Sequence, residues 1–198
     1  MVRDYSAIKS IALQPDSGYA QPTQAVLDRV RIDSPAVDVM TDLTKVTAVI
    51  ILPGDTVDEA HRRMIQRGVR LLLVVDADRR VHGIVTANDV LGEKPVKTAV
   101  QQGIHRSDVQ VRDIMTPRAE LEALDVREVQ TAMVGHIVAT LKAAGRQHTL
   151  VVDHDAKGRQ RVRGVFSATQ IARQLGIAIT TEAVARTFAD IEASLLGH

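Results

Sequence analysis

The chain contains no cysteine and no tryptophan, and only 2% of its 198 residues are aromatic. Without cysteine it can form no disulfide, thiolate metal site or thiol nucleophile. The small number of aromatic side chains also argues against a base-stacking platform for single-stranded nucleic acid. We therefore expect an aliphatic core.

The chain also lacks a strong net charge and a long apolar run. Its formal net charge is +1, so no strong field recruits nucleic acid or an anionic membrane. The apolar run around Val49–Leu52 is far too short to span a bilayer. Residues 1–30 carry scattered charges and no apolar signal-peptide segment. We therefore expect a cytoplasmic protein without a membrane or nucleic-acid partner.

One stretch of the sequence occurs twice. Residues 68–89 read GVRLLLVVDADRRVHGIVTAND, and residues 145–170 read GRQHTLVVDHDAKGRQRVRGVFSATQ. In each stretch two short apolar runs flank a polar turn and lead into the start of a helix, which predicts a hairpin followed by a helix. The turn from Asp153 to Gly164 is four residues longer than that from Asp76 to Gly83.

The segments that precede these stretches repeat as well. Asp38–Thr41 reads DVMT and returns as DIMT at Asp113–Thr116. In the first copy the pattern predicts a strand over Thr47–Leu52 and a helix that starts after Thr56 and ends at Gly68. The residues expected on the buried face of that helix are Val57, Ala60, Met64 and Ile65.

Each copy is predicted to be a β-α-β-β-α unit, and the whole chain an α/β (α+β) protein. Two such units can bury their sheets by packing face to face around a pseudo-two-fold axis. We expect an N-terminal arm over 1–35, a first unit over 36–95, a linker over 96–110 and a second unit over 111–176. The segment Glu93–Gln110 reads as a polar connector. An apolar stripe from Ile171 to Leu195, broken at Gly176, predicts a helical tail over 177–198.

The repeated segments resemble the CBS domain, a family named for cystathionine β-synthase, whose tandem pairs form the Bateman module. The resemblance covers about residues 36–176, and its specificity comes from an ordered set of short marks that appears twice. It implies a regulatory module with no catalytic residues, no metal and no required cofactor. The expected ligand is AMP, ADP, ATP or S-adenosylmethionine, in clefts between the copies. The marks in the first copy are Val39-Met40-Thr41, Asp55–Ala60, Val74-Val75-Asp76 and Gly83–Thr86 followed by Asp89.

Thr86 and Asp89 are the strongest candidates for ligand-binding residues. The resemblance implies that Asp89 accepts hydrogen bonds from the ribose hydroxyls and that Thr86 contacts ribose or phosphate, and an ionised carboxylate can accept from two hydroxyls at once. The alternative is a purely structural capping box at the helix start. The second copy has Ser167 and Gln170 at these positions, so the carboxylate is absent there. We expect one competent or dominant cleft.

The resemblance adds further candidates around the same cleft. Arg70 falls where the family often has a basic residue near the phosphate, although a solvated arginine at a strand end is an equal alternative. In the second copy His148 and Ser167 mark a second cleft. Arg159, Arg161 and Arg163 alternate in the longer turn, as a solvated strand face or a phosphate-facing patch. The remaining positions, which match the adenine-contacting segments, are Thr44, Val49, Val69 and Leu71.

Two functions from different classes fit these observations. The first is an adenine-nucleotide sensor, with a role in energy sensing, that passes a conformational change to another protein, whose identity the sequence does not give. The second is a structural homodimerisation module with a vestigial cleft, since family modules commonly pair into flat dimers. The sequence contains none of the P-loop, G-x-S-x-G or dinucleotide-binding motifs, so we expect no enzymatic activity.

Overall fold

A computed structural model of the chain describes residues 30–177 and Ile191. The strands are β1 (Thr41–Asp42), β2 (Ile50–Ile51), β3 (Leu71–Val75), β4 (Val81–Thr86), β5 (Thr116–Pro117), β6 (Ala123–Asp125), β7 (His148–His154) and β8 (Gln160–Ser167). The α-helices are α1 (Val57–Arg67), α2 (Ala87–Leu91), α3 (Lys94–Gln102), α4 (Val111–Ile114), α5 (Val126–Thr131), α6 (Val134–Ala143) and α7 (Ala168–Gln174). Short 3-10 turns cover Ala36–Val39, Arg106–Asp108 and Arg118–Glu120.

The strands form two four-stranded sheets, one built around the hairpin of each copy. The first sheet has the order β2-β3-β4-β5, and the second has the order β1-β8-β7-β6. In each sheet a short parallel pair, β2 with β3 or β6 with β7, stands beside the antiparallel hairpin. The α/β class and the two-sheet architecture predicted from the repeat are therefore confirmed.

The two copies exchange their first strands. β1 comes from the first copy but pairs with β8 of the second, and β5 opens the second copy but pairs with β4 of the first. The registers correspond, because Thr41 lies opposite Val165 and Thr116 lies opposite Ile84. The repeated DVMT and DIMT segments thus each add a strand to the sheet of the other copy, so neither sheet is complete without the other copy.

The hydrophobic cores follow the same exchange. Ala36 and Val39, which precede β1, are buried in the core of the second copy. Val111 and Ile114 of α4, which precede β5, are buried in the core of the first copy. A third cluster joins the two sheets through Leu73, Val75, Ile84 and Leu150, which is the predicted face-to-face packing. Burying aliphatic side chains of this size stabilises a fold by about 1.5–3 kcal/mol each.

Several local features differ from the sequence-based expectations. The predicted strand over Thr47–Leu52 is reduced to Ile50–Ile51, and Ile65 is 68% exposed instead of lying on the buried face of α1. The expected connector contains a helix, α3, which ends at Gly103 in the left-handed conformation. Most of the predicted tail, and of the arm over 1–35, lies outside the described residues.

The longer segment in the second hairpin does not form a longer turn. β7 and β8 are each two residues longer than β3 and β4, which accounts for all four extra residues. The turns themselves match, because the Asp76 carboxylate accepts the Arg80 N–H at 2.8 Å and the Asp155 carboxylate accepts the Arg159 N–H at 2.9 Å. The two hairpins therefore end in the same turn, with different residues at its positions.

Candidate functional site

The start of α2 is a closed capping box. The Asp89 Oδ2 atom accepts the Thr86 N–H at 2.9 Å and the Thr86 hydroxyl at 2.6 Å, and the Asp89 N–H donates to Thr86 Oγ1 at 3.4 Å. The capping alternative for this pair is therefore realised in the structure. Asp89 is nevertheless only 8% exposed, which is unusual for a carboxylate whose single task is to cap a five-residue helix.

The second carboxylate oxygen of Asp89 faces a cation. Lys94 Nζ donates to Asp89 Oδ1 and also to the Ile114 carbonyl at 3.3 Å. The side chain of Lys94 is 53% exposed, so the free energy of moving it aside is small compared with that of moving a buried cation. Lys94 was not among the residues predicted from the sequence, because it lies in the segment that was expected to be a connector.

The site contains residues of both copies, Arg70 from the first and His148 from the second. Arg70 precedes β3 and its carbonyl accepts the Ala87 N–H at 2.9 Å, which fixes it beside the start of α2. His148 opens β7 of the other copy and is partly buried. Burial, reinforced by the nearby Arg70 cation, lowers the pKa of His148 to about 4, while the Asp89 carboxylate acts in the opposite direction. Arg70, Asp89 and neutral His148 therefore lie in one electrostatic neighbourhood.

The second copy has the same frame with different side chains. The Gln147 carbonyl accepts the Ala168 N–H at 2.8 Å, as the Arg70 carbonyl does in the first copy. Ser167 caps α7 through the Gln170 N–H at 3.5 Å, and it lies opposite His148 in the β7–β8 pairing. Thr41 donates to Gln170 Oε1 at 3.2 Å. A neutral amide thus takes the place that Asp89 has in the first copy.

Thr44 does not lie with Thr86 and Asp89. It follows β1, and β1 belongs to the sheet of the second copy, where the Leu43 N–H donates to the Arg163 carbonyl at 3.0 Å. The Thr44 N–H and hydroxyl both donate to Asp42 Oδ1. The exchange of first strands therefore separates a group of residues that the sequence pattern had placed together.

The other predicted contacts are mainly apolar packing positions. Val49 and Val69 are partly buried against the core of the first copy, and Leu71 packs at the interface between the sheets. Among the predicted residues, Arg70, Thr86 and Asp89 share the start of α2, and His148 faces them from the second copy. Gln147, buried beside His148, aligns with Arg70 in the repeat but was not among the predicted site residues.

A cavity of about 1170 Å³ opens at the other end of the two hairpins. Side chains of both sheets form its apolar floor, among them Leu73, Val75, Leu150 and Val152. Thr44 lines it, whereas Arg70, Thr86 and Asp89 do not. The molecule therefore presents two separate regions where the copies meet: the polar site at α2 and this cavity at the hairpin turns.

Within residues 30–177 and Ile191, the structure groups no set of histidine, aspartate and glutamate side chains that could hold a metal ion. None of the helices in that part of the chain is long and apolar enough to cross a membrane.

Comparison with known families matches residues 36–95 to a family model described as the CBS domain. No curated protein matches the chain. Residues 36–95 are thus a CBS domain, and they contain Arg70, Thr86 and Asp89, three of the four residues that form the polar site.

Solved structures similar to this chain include CBS-domain proteins, one of which is described as a domain pair. A CBS-domain containing protein from Agrobacterium tumefaciens is 19% identical with a TM-score of 0.52, and the match covers 72% of this chain and 94% of that chain. CBSX2 in complex with AMP is 20% identical with a TM-score of 0.50, covering 71% and 94%. The CBS domain pair of protein MJ0100, solved with 5′-methylthioadenosine and S-adenosyl-L-methionine, is 20% identical with a TM-score of 0.50, covering 74% and 98%. At these identities the likeness establishes the fold.

Proposed function

We propose that this chain, a tandem CBS-domain pair, is a regulatory module that binds an adenosine-containing nucleotide at the start of α2. The proposal rests on the proximity of Arg70, Asp89 and His148, which come from both copies. A ligand held there contacts both copies at once. It shifts their relative arrangement if it binds one arrangement more tightly than the other.

The chemistry of these groups suits the two ends of a nucleotide. A carboxylate accepts hydrogen bonds from vicinal ribose hydroxyls, and a guanidinium binds phosphate. Asp89 Oδ1 becomes available to a ribose when the exposed Lys94 side chain moves toward solvent. AMP in the CBSX2 structure, and S-adenosyl-L-methionine in that of MJ0100, support this ligand class by analogy of fold.

The test is a thermal-shift series of the purified protein with AMP, ADP, ATP and S-adenosylmethionine. Ligand at a hundred times its Kd stabilises the native state by about 2.7 kcal/mol. For a chain of this length that corresponds to a Tm increase of roughly 5–10 °C. The decisive variant is Asp89→Ala, which should lose the ligand-induced shift.

Asp113→Ala is the matched control for that variant. Asp113 accepts the Gln110 N–H at 2.9 Å in the capping box of α4, so its removal opens an equivalent box without removing a hydrogen bond of Asp89. Both variants should lose about 1 kcal/mol of stability without ligand. Only Asp89→Ala should lose the response. If Asp113→Ala loses it equally, or if no ligand shifts the native protein at millimolar concentration, the proposal is wrong.

A second candidate function is homodimerisation, and a different observation favours it. α3 exposes Val96 and Val100, four residues apart on one side of the helix, with exposed fractions of 54% and 78%. Contiguous exposed apolar surface marks interaction sites, and this pair supplies apolar surface on α3. Sedimentation equilibrium distinguishes the two candidates: a dimer that Val100→Glu dissociates, combined with no response to any nucleotide, would make assembly the main function.

A further inference from the structure

Lys94 connects three helices at the polar site. It is the first residue of α3, and its Nζ atom donates to Asp89 Oδ1 in α2 and to the Ile114 carbonyl, at 3.3 Å, at the end of α4. The chain leads from Ile114 into β5, the strand that the second copy adds to the first sheet. We call these two hydrogen bonds the Lys94 bridge. It joins the Asp89 carboxylate, the start of α3 and the segment that leads into the exchanged strand.

The Lys94 bridge uses the Asp89 oxygen that the capping box leaves over. Oδ2 already accepts both the N–H and the hydroxyl of Thr86. Asp89 is buried, and a buried carboxylate oxygen without a donor is unfavourable. Lys94 supplies such a donor to Oδ1, and a ribose hydroxyl is a donor to the same kind of acceptor. The lysine and a ribose at this site therefore compete for one atom.

The second copy makes the corresponding connection in a different way. Gln170 holds the position in α7 that Asp89 holds in α2, and its Oε1 atom accepts the Thr41 hydroxyl at 3.2 Å. Thr41 belongs to β1, the strand that the first copy adds to the second sheet. This connection is a bond between neutral groups, made by the exchanged strand itself. In the first copy the connection passes through a flexible lysine side chain that is 53% exposed and that water can solvate.

α3 buries little apolar surface of its own. Its buried side chains are Pro95 and Ala99, which are small, whereas Val96 and Val100 are exposed. An element with so few buried apolar groups opens locally with a small free energy. The Lys94 bridge is therefore a substantial part of what fixes the start of α3.

We infer that Lys94 is an internal competitor of the ligand, and that a ligand which displaces it loosens α3. The inference rests on the nucleotide site proposed above. Because one Nζ atom makes both bonds of the bridge, a ribose that displaces it from Asp89 also moves it away from the Ile114 carbonyl. Binding thereby changes the contacts of α3 and of the segment before β5. The bridge also lowers the apparent affinity for the ligand, because only molecules with an open bridge are competent to bind.

The first experiment is hydrogen–deuterium exchange of the full chain without nucleotide, read by mass spectrometry. Lys94→Met removes the ammonium group and keeps an unbranched side chain, so it should speed exchange in residues 94–103 about fivefold. Asp89→Asn weakens the same bond from the other side, and the double variant should exchange no faster than Lys94→Met alone. Lys97→Met, which removes an exposed ion pair with Glu93 on the same helix, should change exchange less than about twofold. Native exchange rates in Lys94→Met would overturn the inference.

The second experiment is calorimetric titration with adenosine. Adenosine carries the ribose and no phosphate, so a change of charge at residue 94 alters no phosphate contact. Lys94→Met should bind adenosine more tightly than the native protein, by about the factor measured by exchange, because the free energy of closing the bridge opposes binding. Lys97→Met should bind as the native protein does. Saturating adenosine should speed exchange of residues 94–103 in the native protein and leave it unchanged in Lys94→Met.

The outcomes separate this inference from the proposed function. If adenosine binds the native protein and Lys94→Met with equal affinity, or binds without speeding exchange in α3, the inference is wrong and the nucleotide site stands. Binding to Lys94→Met alone would support the inference, because the bridge would then close the site in the native protein. If neither adenosine nor AMP binds to either protein, the proposed function is refuted and the inference with it.

Discussion

The carbonyl oxygen of Thr116 lies 2.3 Å from the position that a Cβ atom would occupy on Gly83. Thr116 belongs to β5, the first strand of the second copy, and Gly83 lies opposite Pro117 in β4 of the first. The absence of a side chain at Gly83 therefore lets the exchanged strand approach closely enough to pair. Glycine is therefore required at position 83 because the exchanged strand lies so close to it, and not because the chain turns there.

Gly83→Ala should accordingly destabilise the protein by about 2–4 kcal/mol, since the Cβ atom meets backbone that cannot move without breaking the β4–β5 pairing. Chemical denaturation measures the loss. Gly54→Ala is the control, because a Cβ on Gly54 meets nothing within 4 Å. An equal stability of the two variants would mean that β5 is not held against β4.

Gly164 is the counterpart in the second copy, and the expected effect there is smaller. A Cβ on Gly164 meets the flexible Met40 side chain at 2.6 Å, and the Thr41 carbonyl oxygen at 3.1 Å. A methionine side chain can adopt another rotamer, so Gly164→Ala should cost about 1–2 kcal/mol. The order of stability should be Gly54→Ala, then Gly164→Ala, then Gly83→Ala.

An ion pair joins the copies next to this exchanged strand. Arg163 of β8 donates to Asp42 of β1 and also faces Asp153 at 3.6 Å. Both partners are largely buried, so Arg163→Met should cost about 3 kcal/mol by leaving the Asp42 carboxylate without its cation. Arg127→Met, which removes an exposed partner of Asp125, should cost less than about 1 kcal/mol.

A double-mutant cycle checks the origin of that cost. Asp42→Asn/Arg163→Met should be less destabilised than the sum of its single variants, because the uncompensated charge is then gone. Additive losses would show that Arg163 acts through packing of its side chain and not through Asp42.

The local elements of this fold could be predicted from the sequence. β3, β4 and the start of α2 follow from two apolar runs, a polar turn and a threonine cap, all within 20 residues. Such signals are short-range, so they can be read without knowing which distant segments pair with them. The face-to-face packing followed from the repeat, since neither sheet can bury its apolar face alone.

The strand exchange could not be predicted in this way. β1 and β5 have two residues each, too few to show any periodicity, and their partners lie in the other copy. The pairing of Lys94 with Asp89 was missed for a related reason, because it depends on how α3 folds back. Thr44 was grouped with Thr86 through the family resemblance, whereas the sheet places Thr44 at the second copy.

His148 should make stability pH-dependent in acid. Its folded pKa of about 4 lies below the unfolded value of about 6.5, so the unfolded state binds more protons between these values. The stability is thus fully present above pH 6.5 and decreases as the pH falls toward 4, by on the order of 3 kcal/mol. His148→Gln should flatten this part of the profile.

His154→Gln is the control for that measurement, since His154 is exposed at the far end of the same strand. Urea titrations between pH 4 and pH 7 give the profiles. A profile of His148→Gln that falls as steeply as the native one would place the responsible proton elsewhere.

The last prediction compares the two hairpin turns, which have the same backbone geometry but different residues at its positions. Arg79 and Gly158 occupy the same left-handed position, and each donates its N–H to the carbonyl of the aspartate three residues earlier. Gly158→Arg should therefore destabilise the protein by about 1 kcal/mol, which is a Tm decrease of roughly 2–4 °C. Arg79→Gly should stabilise it by somewhat less, since glycine also gains freedom in the unfolded state. Arg80→Gly, at the next position and without a positive φ, should be destabilising. If Arg79→Gly and Arg80→Gly lowered the Tm equally, the left-handed conformation of Arg79 would cost nothing.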